Sequence, residues 1–218
     1  MYDIYVKSVS FTAGCASTML ILTPLLVCKD IVRKKSSDHV NLSSFTGALF
    51  RSSLFVRQGY LLNLYTIMFV HGMGLVFNMF YLMVYLYYST DKNKVMKKTL
   101  KLAVISSILL LYSVVESKDV VTVRYSAIVT VIHLLIIGWP LLSLRETIKT
   151  KRWSGHPKPI LINTMVVCLL WLLYSINVKN NIMFMQCFVG FTLSLIQLKL
   201  LFIYPIENNA HHKSEKDK

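Results

Sequence analysis

Seven predominantly apolar stretches leave this chain few folds to choose from: roughly Val9–Cys28, Phe45–Leu62, Thr66–Tyr88, Leu100–Val115, Val120–Leu144, Ile160–Val178 and Ile182–Tyr204. A transmembrane helix takes about 20 mostly apolar residues, so seven consume roughly 140. That is most of a 218-residue chain, which leaves short loops and no room for a soluble domain. Soluble domains carry about 25% charged residues; here the charged share is 16% and the hydrophobic share 55%. The expected fold is an all-α membrane protein with seven transmembrane helices. The length favours a compact transporter-like bundle over a signalling receptor with long loops. The fourth stretch is the shortest and is followed by Glu116, Lys118 and Asp119. No A-x-A-like cleavage site closes the first stretch, so its helix is expected to be retained.

Formal net charge is +14, which on a soluble protein would suggest nucleic acid. Here the basic residues lie between apolar stretches and read as orientation signals, with the lipid bilayer as partner and no nucleic acid. Lys29, Arg33, Lys34 and Lys35 fall in the first loop, and Lys92, Lys94, Lys97, Lys98 and Lys101 in the third. Arg145, Lys149, Lys151, Arg152 and Lys158 fall in the fifth, and Lys213, Lys216 and Lys218 in the tail. The opposite side offers only Lys7, Lys118, Arg124 and Lys179. The positive-inside rule then puts the N-terminus outside or in the lumen and the C-terminus in the cytosol. Tyr85, Tyr87, Tyr88 and Tyr204 sit where an interfacial aromatic belt is expected, and Glu207 to Lys218 read as a disordered polar tail. Cys15, Cys28, Cys168 and Cys187 contain no CxxC pair, so neither a disulfide framework nor a zinc site is expected.

The chain repeats itself. Pro24-Leu25-Leu26 returns as Pro140-Leu141-Leu142, an offset of 116. The same offset carries Phe55 to Trp171, Gln58 to Tyr174, His71 to Cys187 and Gly74 to Gly190. Two three-helix repeats joined by one linker helix (3+1+3) account for this. An odd linker restores the direction of the chain, so the repeats run parallel in the membrane. The divisions expected are 9–88 for the first repeat, 89–119 for a basic loop and the linker helix, 120–204 for the second repeat, and 205–218 for a cytosolic tail.

From Phe11 to Pro205 the sequence resembles the SWEET family of sugar facilitators. In the first repeat the resemblance rests on Pro24, Asp38-His39-Val40, Gln58-Gly59, Gly74 and Tyr81. The second is closer: Trp139-Pro140-Leu141, Ile148-Lys149-Thr150-Lys151, Pro159, Trp171-Leu172-Leu173-Tyr174, Gly190, and Gln197 through Tyr204-Pro205. The resemblance implies bidirectional, low-affinity facilitated passage of mono- or disaccharides by alternating access. It allows a plasma-membrane or Golgi location and homo-oligomers. Family members usually carry hinge prolines in helices one, two, five and six. Pro24, Pro140 and Pro159 match, and Ser44 stands at the second-helix position. Family pockets usually present an asparagine on each third helix of a repeat, where this chain has His71 and Cys187. The usual outer gate pairs a tyrosine with an aspartate, here Gln58 and Asn180.

Trp171 and Phe55, at matched positions, either stack on the C–H faces of a sugar ring or pack between helices. His71 offers one donor and one acceptor, in part replacing an amide; the alternative is a structural histidine bonded across helices. Cys187 either lines the pocket or packs as a small residue. Arg51, Phe55 and Gln58 form an i, i+4, i+7 face. Arginine at membrane depth costs about 2.5–3.5 kcal/mol, so Arg51 either meets a partner, water or an anionic ligand, or snorkels to the cytosolic interface. Arg57 is expected to snorkel outward at the other end. Gly74 and Gly190 are expected to allow close helix approach. All ten acidic residues fall in loops, tails or span ends, which favours an uncoupled facilitator with His71 as the one titratable exception. No phosphate loop, catalytic triad motif or HExxH occurs, so neither an enzyme nor a bound cofactor or metal is expected. The alternative function is a non-transporting seven-helix receptor of the KDEL-receptor type, which binds an anionic ligand and which Arg51 would suit.

Overall fold

The computed structural model describes residues 2–138, 145, 147–151 and 158–204. Among them lie eight long helices: α1 (Tyr2–Leu22), α2 (Pro24–Lys34), α3 (Leu42–Leu61), α4 (Tyr65–Tyr87), α5 (Lys92–Val115), α6 (Lys118–Gly138), α7 (Lys158–Asn177) and α8 (Asn181–Ile203). They form seven spans, because α1 and α2 are one span broken at Pro24. Proline has no N–H to continue the ladder. Thr23 N–H reaches Met19 O at 3.1 Å and Leu20 O at 3.3 Å, and Leu26 N–H tightens onto Thr23 O at 3.1 Å.

Six spans are long and apolar enough to cross a membrane. The remaining one is α3, which carries Arg51, Arg57 and Gln58 and is flanked by α4, α5 and α6. Protein on these sides lets α3 carry polarity that a lipid-facing helix would not. By contrast α5 exposes Met96, Leu100, Val104, Ile108, Leu111 and Val115. A soluble protein would not leave that apolar surface bare; in a bilayer it meets lipid tails. The third loop is shorter than expected, because α5 begins at Lys92. Asp91 caps it, accepting from Lys94 N–H at 2.9 Å. Lys92, Lys94, Lys97 and Lys101 are therefore exposed helical residues, while Val95 is buried. Hydropathy marks only the part of a helix that lies in lipid, so this capped extension was invisible to it.

The six repeat helices close into a ring. Helix α4 packs between α1 and α3, and α8 packs between α6 and α7. Two seams join these triplets, α1 against α7 and α3 against α6, while α5 packs outside, mainly on α3. Matched positions hold matched contacts. In the first triplet Gly14 lies beside Val70, with Ser10 and Thr66 sharing a 2.7 Å hydrogen bond. At the positions matching Gly14 and Val70, Gln186 Nε2 donates to Thr130 Oγ1 at 2.7 Å.

The apolar core differs between the two ends of the ring. At the end where α1 begins, one buried cluster (Leu54, Phe55, Leu64, Ile67, Val121, Tyr125, Val129, Tyr174 and Met183) draws on both triplets. At the basic end two clusters stand apart among the described residues. One joins Cys28, Ile31, Leu42, Phe45, Tyr81, Tyr85 and Val95 within the first half; the other joins Leu161 and Leu201 in the second. Among the described residues, the triplets share a buried apolar cluster at one end only.

Candidate functional site

The two seams carry the aromatic residues. On α7, Trp171 donates its indole N–H to Ser17 Oγ on α1 at 2.8 Å, and Ser17 donates on to Ala13 O at 2.7 Å. Tyr174, one turn on, meets the Trp171 ring edge-on at 5.6 Å. On α3, Phe55 sits between two imidazoles: His71 of α4 at 4.6 Å and His133 of α6 at 4.9 Å. By the offset of 116, Phe55 matches Trp171 and Ser17 matches His133. Both seams are thus the same pair of positions, filled once by an indole and a hydroxyl and once by a phenyl and an imidazole. Cys187 and Trp171 each pack, half-buried, against the shared core, while Phe55 is buried within it. The structure therefore brings His71 and His133 both onto Phe55, and holds Trp171 at the opposite seam against Ser17.

Arg51 lies one turn before Phe55, halfway along α3. Its Nε is buried with no hydrogen-bond partner. His133 Nδ1 and Gln58 Oε1 share that condition. The guanidinium's field reaches His71, His133 and Cys168. Arg57 behaves differently from Arg51 and from the outward snorkelling expected of it. It turns sideways onto α5, where Nε donates to Ser113 Oγ at 2.8 Å and Nη2 to Ser113 O at 2.7 Å, with Tyr60 under the guanidinium at 5.2 Å.

The gating candidates are less closely associated. Asn180 caps α8, accepting from Met183 N–H at 2.9 Å, and no hydrogen bond joins it to Gln58. Pro24 breaks the first span between α1 and α2. Ser44 and Pro159 lie in the first turns of α3 and α7. An N–H in the first turn has no intrahelical partner, and the residue four before Pro159 lies outside the described residues. Ser44 N–H is bonded to Asn41 O at 3.1 Å. Pro140 lies outside the described residues, as do Trp139 and the tail from Pro205. Gly74 supports close approach as expected, a Cβ there falling 3.1 Å from Ser52 Oγ.

The sequence profile of the family described as "Sugar efflux transporter for intercellular exchange" matches the chain twice, over residues 7–93 and 123–209. The chain belongs to this family, the SWEET family. Among its SWEET relatives, "Sugar transporter SWEET1" of Drosophila pseudoobscura pseudoobscura is 25% identical over 90% of this chain and 88% of its own length. "Bidirectional sugar transporter NEC1" of Petunia hybrida is 25% identical over 86% and 72%. The 3.7 Å structure of a eukaryotic SWEET transporter superposes with a TM-score of 0.83, at 17% identity over 91% of this chain and 96% of that one. That last likeness carries the fold.

Within this SWEET chain, sequence reasoning missed His133 and Ser17. His133 breaks the expectation that His71 is the one titratable group inside a span. Its signal was available, since a histidine within the apolar stretch Val120–Leu144 meets the same criterion that singled out His71. Ser17 carried no signal of its own; only the packing of α1 on α7 reveals it.

Proposed function

We propose that this chain passes mono- or disaccharides down their gradient in both directions, with low affinity, by rocking one three-helix triplet against the other. The observation that supports this most is the one-ended core. Triplets whose described residues share a buried cluster at one end and not at the other can part at the basic end around a fixed hinge, with Trp171 and Phe55 beside the opening. In this reading Phe55, Trp171, His71 and Cys187 line the sugar site. Pro24, Ser44, Pro140 and Pro159 bend the basic end, and Gln58 and Asn180 close the other. The working units are 9–88, the linker region 89–119, 120–204 and the tail 205–218. The basic end faces the cytosol and the N-terminus the outside or lumen, in a plasma or Golgi membrane, with the chain able to form homo-oligomers.

Flux of labelled hexoses and sucrose in vesicles holding the purified protein tests this. Equal rates for equal and opposite gradients are expected, unchanged by proton ionophores. Vesicles no leakier to any of these sugars than empty ones would refute it. Proton-driven accumulation above the external concentration would refute the uncoupled part.

A further inference from the structure

We propose that the substrate is a sugar acid: a polyhydroxylated ring bearing one carboxylate, held by Arg51, with His71 and His133 beside it. This rests on the sugar-transport reading above and narrows it. Arg51 stands about 14 Å from either end of α3, from a rise of 1.5 Å per residue. A charge at that depth is kept only where something compensates it. Nothing in the described protein does so. The described ion pairs are Lys34 and His39 with Asp30, and Arg124 with Glu116, all at helix ends. Arg57, in the same helix, has its charge answered by Ser113 and Tyr60, so α3 can satisfy an arginine when the role is structural.

The surroundings fit a ligand better than water alone. Arg51 and Phe55 share a face, and Phe55 touches both imidazoles. His133 Nδ1, buried and unbonded, is free to meet a hydroxyl. A guanidinium presents a planar fork that matches a carboxylate with two parallel hydrogen bonds. The balance of charge selects the monoanion. One arginine neutralises one carboxylate, whereas a phosphate monoester near −2 would leave the site negative in a low-dielectric bundle.

The test uses vesicles holding the full chain, with the membrane potential clamped, and three labelled probes: D-glucuronate, D-glucose and glucose 6-phosphate. At low concentration, glucuronate flux is expected to exceed glucose flux at least tenfold, with glucose 6-phosphate slower than glucuronate. Arg51→Gln is expected to lower the glucuronate-to-glucose ratio at least tenfold, and Arg51→Lys to lower it less. Thermal shift of the purified protein gives a second reading. Glucuronate is expected to raise the melting temperature of the wild type and of Arg51→Lys, and not that of Arg51→Gln. A wild type that moves glucose and neither moves nor is stabilised by glucuronate overturns this proposal and leaves the sugar-transport reading standing. So does an unchanged ratio in Arg51→Gln. Preference for glucose 6-phosphate overturns the single-charge assignment. Failure of all three probes in both measurements overturns this proposal, and the transport reading falls with it only if labelled sucrose and the other hexoses also fail to move.

Discussion

Trp171 has two separable jobs, and substitution can tell them apart. Its indole N–H holds the α1–α7 seam through Ser17, and its ring is the proposed stacking face. Trp171→Phe keeps a face and loses the hydrogen bond. Interhelical hydrogen bonds in membranes average about 0.6 kcal/mol, which is about threefold in an equilibrium constant, since 1.4 kcal/mol is tenfold. Ser17→Ala removes the same bond from the other side and should cost the same threefold. Trp171→Ala loses the bond and the ring, with a further 0.5–1.5 kcal/mol or so of aromatic contribution beyond burial. Its flux at low sugar should fall about tenfold or more. The assay is initial-rate sugar uptake into vesicles at concentrations well below saturation, normalised to inserted protein. Combining Ser17→Ala with Trp171→Phe should add nothing to either alone. If Ser17→Ala is as damaging as Trp171→Ala, the ring does nothing beyond fixing the seam, and the stacking role is wrong.

Three other perturbations have defined outcomes. Gly59→Ala would put a Cβ 3.0 Å from Met68 N, a backbone atom, whereas at Gly74 the nearest atom is the rotatable Ser52 Oγ at 3.1 Å. Thermal melts in detergent should show Gly59→Ala the less stable by about 1–3 kcal/mol, and equal melting temperatures would contradict the packing of α3 on α4. Asn41-Leu42-Ser43 is a glycosylation sequon, yet Asn41 caps α3 at the basic end by accepting from Ser43 N–H. No glycan is expected there, and a glycosidase-sensitive mobility shift lost in Asn41→Gln would reverse the orientation. Pro24→Ala restores an N–H at the break between α1 and α2, so a higher melting temperature with slower flux is expected; unchanged flux would remove Pro24 from the hinges.

The spans and the repeat were legible in the sequence because both depend on periodic, local information. Apolar runs marked all seven spans, although α3, with Arg51, Arg57 and Gln58, falls short of the apolarity of the other six. Hydropathy failed at Lys92–Lys101, where a helix continues past the lipid and capping by Asp91 decides the boundary. The site was half legible. The offset of 116 paired Phe55 with Trp171, but their partners His133 and Ser17 come from helices whose adjacency no local pattern encodes. Arg51 and Arg57 looked alike in sequence. What separates them is α5, whose Ser113 lies where only the tertiary fold could place it.

The two seams can also be seen as one isologous interface written out on a single chain. In a symmetric pair of three-helix proteins, each contact between a residue of helix one and a residue of helix two would occur twice, and any substitution would appear at both copies. Joining the halves through α5 releases that constraint. Ser17 with Trp171 and His133 with Phe55 occupy equivalent places, yet one contact is a hydrogen bond and the other an edge-on meeting of two rings. The fused chain can thus tune one face of its axis for a polar partner without altering the other, a freedom that a pair of identical halves does not have.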